Sequence, residues 1–228
     1  MSALAHRLKR LVAGWGALPE PLAPFFEAPA PKFSADYRSQ SLLALDLELT
    51  GLDLRNDAIL SIATVPIEGG RVQLSDAWHQ LVAIDGEVGQ SATIHGIHDR
   101  HLADGVPLCD ALAALVPQLA GRVLVCHHGA LDLGFLNAGL QHCFGQGLPL
   151  LAIDTLLLEQ RRLERRGEVL KGDQLRLAQC RRRYGLPDYP GHHALVDAIA
   201  CGELLLAQAS ALAGRQSLSL SALLKLSR

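Results

Sequence analysis

Two carboxylates stand one residue apart in an otherwise apolar run, Leu42-Leu43-Ala44-Leu45-Asp46-Leu47-Glu48-Leu49-Thr50-Gly51. A run of this length closing on Thr-Gly reads as a central strand covered on both faces. Strand side chains alternate, so Asp46 and Glu48 emerge on the same face. Two acids held side by side in a sheet repel each other and lose hydration, a cost that a positive partner must offset. A divalent cation does so most simply. The strand therefore reads as half of a two-metal site, the kind that hydrolyses phosphodiester bonds.

Three more positions have suitable chemistry. Asp132 follows a short apolar strand in His127-His128-Gly129-Ala130-Leu131-Asp132, beyond a strand end, where ligands of α/β sheets gather. An Asp near a helix start is also a common cap or dipole partner, and both readings stay open. Asp197 interrupts the apolar helical run Ala194–Leu206, as a paired core acid or as a metal ligand. His192 follows Pro190-Gly191 at the mouth of that helix, and its near-neutral pKa suits it to taking a proton from water.

The elements that would position these groups follow from periodicity. Strands are expected over 41–49, 57–67 and 71–84, with Gly69-Gly70 turning the second into the third, so the first three are antiparallel. Helix 107–120, with Pro107 in its first turn, precedes strand 122–126, and helix 130–144 precedes strand 150–153. Helices at 154–166, 173–184 and 193–213 and a short amphipathic one at 217–226 complete an α/β pattern: a mixed sheet sandwiched by helices. Ahead of it, residues 2–15 set Leu4, Leu8, Leu11, Val12 and Trp15 on one helical stripe, expected to dock on the main domain or a partner. A proline-rich connector follows, with Phe25 and Phe26, and the boundary is expected near residue 38, giving an N-terminal extension (1–38) and a main domain (39–228).

Composition narrows the class. With 49% hydrophobic and 19% charged residues, the chain can bury an ample core, and no apolar run approaches the ~18–20 residues of a membrane span. The net charge of −2 conceals an asymmetry, because Arg161–Arg183 holds nine basic and three acidic residues. A solvated helix face explains such a run as well as a phosphate track does; beside a carboxylate metal site the phosphate track is favoured. Five scattered cysteines without a CxxC pair argue against a disulfide framework and for a reducing, cytoplasmic setting. His95, His98 and His101 recur every third residue but lack the neighbours that complete a tetrahedral zinc site.

Taken together and in order, three motifs resemble the DEDDh 3′–5′ exonucleases, closest to the branch with the proofreading (epsilon) subunit of bacterial DNA polymerase III. They are Asp46-x-Glu48-x-Thr50-Gly51, His127-x4-Asp132 with Gly134-Phe135, and His192-x-Ala194-Leu195-x-Asp197-Ala198. Ile94-His95-Gly96-Ile97, Ile153-Asp154-Thr155-Leu156 and Leu177 to Tyr184-Gly185 reinforce the match, which covers roughly residues 40–208. The resemblance implies an RNase H-like mixed five-stranded sheet flanked by helices, and two Mg²⁺ or Mn²⁺ ions. Asp46, Glu48, Asp132 and Asp197 would be the metal carboxylates, with Asp46 bridging both ions. His192, five residues before Asp197, would be the general base in preference to His193. Thr50 and His95 would border the terminal nucleotide.

Departures from the family pattern bear on the substrate. His128 stands where many relatives have Asn, Leu49 replaces a common Thr as in the oligoribonuclease branch, and Gln90 stands where the epsilon subunit places an acid. The leading expectation is release of nucleoside monophosphates from the 3′ end of single-stranded DNA, in replication and repair, with Arg161–Arg183 steering the backbone. An RNA or oligoribonucleotide exonuclease and a non-cutting polymerase accessory or nucleic-acid-binding module are the alternatives. A polymerase or a second copy of the chain are the partners left open, and no membrane is expected. With the extra length before the domain rather than after Asp197, a stand-alone enzyme is expected.

Overall fold

The computed structural model describes residues 3–14, 18–84, 105–170 and 172–227. His95, Gln90, His98 and His101 lie outside them.

The opening apolar run forms β1 (Leu42–Leu49), antiparallel to β2 (Ile59–Glu68) and parallel to β5 (Val123–Cys126), which is in turn parallel to β6 (Ala152–Asp154). The expected third strand is two short ones, β3 (Arg71–Val72) and β4 (Trp78–Leu81), separated by a 3-10 turn at Leu74–Asp76 and both paired with β2. Pro66 gives the physical reason. Its carbonyl accepts the Gln73 N–H at 2.8 Å, but proline has no N–H to return on that side, and the ladder lapses there. The path through the sheet is β3-β2-β1-β5-β6, with β4 off β2. The expected mixed sheet flanked by helices is present, and β1 lies at its centre.

Alternation along β1 divides the core. Leu43, Leu45 and Leu47 face α3 (Leu108–Leu119) and α4 (Gly129–Phe144), together with Leu124, Leu136 and Leu140. Leu42 and Ala44 face α7 (Ala194–Ala213) and α8 (Leu220–Leu226), with Ala198, Cys201 and Leu205. Asp46 and Glu48 share the even-numbered face and so look toward α7. α7 is long and apolar enough by composition to cross a membrane, though Asp197 and Glu203 interrupt its apolar run, and here it is the helix under the sheet. Gly202 lets it come close: a Cβ there would stand 3.3 Å from the Ala44 Cβ and from Ile67 Cδ1, so a larger residue would push the helix away. Between β6 and α7 lie α5 (Thr155–Arg165) and α6 (Leu177–Arg183).

At the N-terminus, α1 (Ala3–Ala13) keeps Leu8, Leu11 and Val12 of its apolar stripe more than half exposed, so these residues are not buried against the main domain. The helix docks through polar groups: buried His6 reaches the Pro149 carbonyl at 3.1 Å, and Arg10 donates to the Phe25, Phe26 and Ala28 carbonyls. Those carbonyls end α2 (Ala23–Glu27) and accept a cation well. In the connector, Leu22 and Phe25 are buried in the α3–α4 side of the core. One expectation needs correction, that for the cysteines. Cys109 on α3 and Cys143 on α4 form a disulfide, Cα atoms 5.3 Å apart across 34 residues of sequence, whereas Cys126, Cys180 and Cys201 are free and buried. Antiparallel packing of two helices creates that proximity, which spacing rules cannot see, and the inference from spacing to a reducing compartment loses its premise.

Candidate active site

Asp46 and Glu48 leave β1 on the α7 face, and Asp197 comes down to them from the first turn of α7. One carboxylate oxygen from each of the three lies within 4.8 Å of the other two. A register irregularity follows immediately, between Glu48 and Leu49; such bulges re-aim side chains beside sites. Asp132 arrives from the far side of the sheet, in the first turn of α4. Pairing of β1 with β5 covers only residues 42–44, and beyond its end the Leu47 backbone N–H lies near enough to Asp132 to favour its charged form. Asp132 is outside the tight trio but close enough for its charge to act on Asp46.

The electrostatics show a site lacking positive charge. Burial pushes Asp46 well above the ordinary carboxylate range, and Asp132, Asp197 and Glu48 push it further. Burial and the Asp197 charge raise Glu48 to about 7. Burial raises Asp132 to about 8, despite the stabilising backbone N–H bonds. Burial also raises Asp197, an effect opposed by the His192 N–H that its carboxylate accepts. Among the described residues no Lys or Arg forms an ion pair with any of the four. Such a donor set, all oxygen and deprived of cations, suits Mg²⁺ or Mn²⁺.

His192 is at the rim. Its backbone adopts φ 66°, uncommon for a residue with a side chain, and its N–H donates to Asp197 Oδ2 at 2.6 Å. The side chain is exposed and borders a cleft of about 1200 Å³ that also includes Asp46, Asp197, Leu52, His128, Arg176 and Arg182. The His193 ring lies against His79 instead, centroids 5.1 Å apart and planes tilted by 41°.

Groups that touch no cation hold this arrangement. Asp154 accepts the His128 and Gly129 N–H groups opening α4 and the Leu156 and Leu157 N–H groups opening α5. One buried carboxylate thus caps two helices and fixes the turn from which Asp132 projects. Sequence reasoning saw Asp154 only as a matching fragment; its place just before a helix was the available signal. His128 has φ 80°, a conformation that Asn, Asp and His tolerate better than most residues. His127 is an anchor: its ring nitrogens lie 2.8 Å from Thr155 Oγ1 and 2.7 Å from the Leu175 carbonyl, and burial lowers its pKa. The Thr50 hydroxyl donates to Asp57 Oδ1 and accepts the Ala58 N–H, closing the loop before β2.

The basic run is mostly used internally. Arg162 and Arg183 pair with buried Glu159, and Arg181 with Glu203. Arg161 bonds the Lys225 carbonyl, Arg166 pairs with Glu168, and Arg182 pairs with Asp188 at the surface. Among the described residues of the run, Arg176 and Arg182 stand at the cleft wall, Arg182 with Asp188 beside it.

Comparison with known proteins agrees with this geometry. The exonuclease (RNase_T) family profile matches residues 43–205. DNA polymerase III subunit epsilon of Treponema pallidum (strain Nichols) is 30% identical over 162 residues, covering 71% of this chain and 73% of that subunit. The PolC-type DNA polymerase III of Thermotoga maritima is 29% identical over 167 residues, covering 73% of this chain but only 12% of the polymerase. Among solved structures, E. coli Exonuclease I in complex with a dT13 oligonucleotide has TM-score 0.65 at 15% identity, covering 75% of this chain and 41% of that one. Exonuclease X in complex with 5′ overhanging duplex DNA has TM-score 0.57 at 20% identity, covering 80% and 99%. The structural neighbours share the fold, the profile spans well over half of the sequence, and this chain belongs to the RNase_T exonuclease family.

Proposed function

We propose that the protein is a 3′–5′ exonuclease that hydrolyses phosphodiester bonds of single-stranded DNA from the 3′ end, releasing nucleoside monophosphates. The observation that carries this reading is the convergence of Asp46, Glu48 and Asp197 within 4.8 Å, with Asp132 behind them and His192 at the rim of one cleft. Asp46, Glu48, Asp132 and Asp197 would hold two Mg²⁺ or Mn²⁺ ions. Bound there, such ions supply Lewis acidity and offset the charge that develops on the phosphate. His192 accepts the proton of the attacking water; the water oxygen bonds to phosphorus as the bond to the 3′ oxygen breaks, and that oxygen takes a proton from solvent. Arg176 and Arg182 steer the backbone of the incoming strand. Thr50, through its loop, borders the terminal nucleotide.

An RNA substrate draws on Leu49, but that side chain packs with the α3–α4 core rather than toward the acids. A non-cutting module would not need four unneutralised acids around one point. The epsilon and PolC relatives make a polymerase the first partner to test, by co-purification.

The deciding experiment is digestion of 3′-labelled and 5′-labelled DNA and RNA strands with Mg²⁺ or Mn²⁺. Immediate mononucleotide from the 3′ label and a descending ladder from the 5′ label are expected, faster on DNA. Internal fragments, or oligonucleotide bound without any mononucleotide, would overturn the proposal.

A further inference from the structure

The 186–193 segment carries His192 yet contains neither helix nor strand, so side chains must fix it. One does most of this. Arg181 on α6 is 2% exposed. Its Nη1 donates to the Ala200 carbonyl on α7 at 2.7 Å, and its Nη2 donates to the Pro187 carbonyl at 2.9 Å and to Glu203 Oε2 on α7 at 2.8 Å. The guanidinium carbon stands 4.4 Å from the centre of the Tyr189 ring, and the Tyr189 hydroxyl donates to the other Glu203 oxygen at 3.1 Å. Farther along, the His192 N–H meets Asp197. The segment is thus tied to α6 at 186, through the Leu186 N–H on the Arg181 carbonyl, and at 188, through the exposed Arg182–Asp188 pair. The ties at 187, 189 and 192 run through Arg181, Glu203 and Asp197 to α7, the helix that carries Asp197.

We propose that Arg181 is a positioning residue for the reaction, holding the 186–193 segment on α7 so that His192 stays at a fixed place beside the carboxylates. The inference rests on the reading of His192 as general base. Three acceptors in different directions need a planar fork, which lysine lacks. The Arg181 Nε–H, buried, has no acceptor among the described residues, and a charged group in that condition is a poor choice for stability alone. At 2% exposure the guanidinium is not itself a phosphate contact. Its effect on rate must pass through the segment.

The test uses the full chain with Arg181→Gln, Arg181→Lys, Tyr189→Phe and His192→Asn. Each variant is checked for folding by circular dichroism, then followed by amide hydrogen exchange and by kcat and KM on a single-stranded oligothymidylate with Mn²⁺. In Arg181→Gln, exchange over 186–193 should rise about tenfold while β1 and β2 stay protected, and kcat should fall about 10–100-fold with KM within about threefold. Arg181→Lys should recover only part of that loss. Tyr189→Phe keeps the ring and removes one tie, so it should show the same pattern in miniature, and it carries the test if Arg181→Gln fails to fold. Wild-type exchange over 186–193 in Arg181→Gln overturns the proposal. So does exchange that rises equally across β1 and β2, and so does a loosened segment with wild-type kcat while His192→Asn is inactive. Wild-type kcat in His192→Asn instead removes the base reading, and Arg181's hold on the segment is still read by exchange.

Discussion

Two groups of side chains in this molecule, one around a single buried acid and one around a cluster of acids, behave in opposite ways. Glu159 on α5 is wholly buried. Burial alone would raise its pKa, but hydrogen bonds from Arg162 and Tyr184 and the charges of Arg162 and Arg183 outweigh it, and the carboxyl ends below its ordinary value. Asp46, Glu48 and Asp132 are also taken from water, but what surrounds them is more acid, and all three are raised. One group is complete as it stands, a three-cornered joint between α5 and α6. The other is complete only with cations. Burial of an acid therefore says nothing about function until its partners are counted.

The largest test of this contrast is Asp46→Asn. Activity should fall by about 10³-fold or more, as loss of a charged site group does, while the metal-free variant melts at or above the wild-type temperature at pH 8, because one repulsive charge is gone. A lower melting point without metal would break the contrast. Glu159→Gln is the mirror case: it leaves two arginines without their acid and should cost about 3 kcal/mol of stability in a denaturant titration, with kcat nearly unchanged once folded.

A pH series sharpens the comparison without mutation. A carboxyl whose pKa the fold raises contributes its full stability below the unfolded value of about 4, and that contribution is lost as pH rises through the folded value. In EDTA the melting temperature should fall between about pH 5 and pH 8, the range set by Glu48 at about 7 and Asp132 at about 8. Mn²⁺ should remove most of that slope, since a cation replaces the protons. A flat or rising profile in EDTA would show that the acids are not crowded. The smallest effect belongs to Leu49→Thr, which should change the ratio of DNA to RNA turnover by less than about threefold, since the residue faces the core and not the substrate.

How much was legible before folding differs between the two groups. Asp46 and Glu48 were readable because alternation on a strand is local, and Asp197 because an acid stands out in an apolar helix. The Glu159 joint was not, and its arginines read from sequence as a phosphate track. A charge run records how many cations are present and not which of them are already paired.

From the sequence alone came the order of elements, the central strand with its two acids on one face, and the motif set that marks the family. Each of these depends on periodicities spanning a few residues. Only the tertiary structure decided that α7 approaches closely enough at Gly202 to bring Asp197 to Asp46. It alone decided that Asp154 caps two helices, that Cys109 meets Cys143, that Pro66 splits the third strand, and that most arginines of the 161–183 run are already bonded within the molecule. Those outcomes join residues tens of positions apart, and packing of whole elements, rather than local preference, sets such distances.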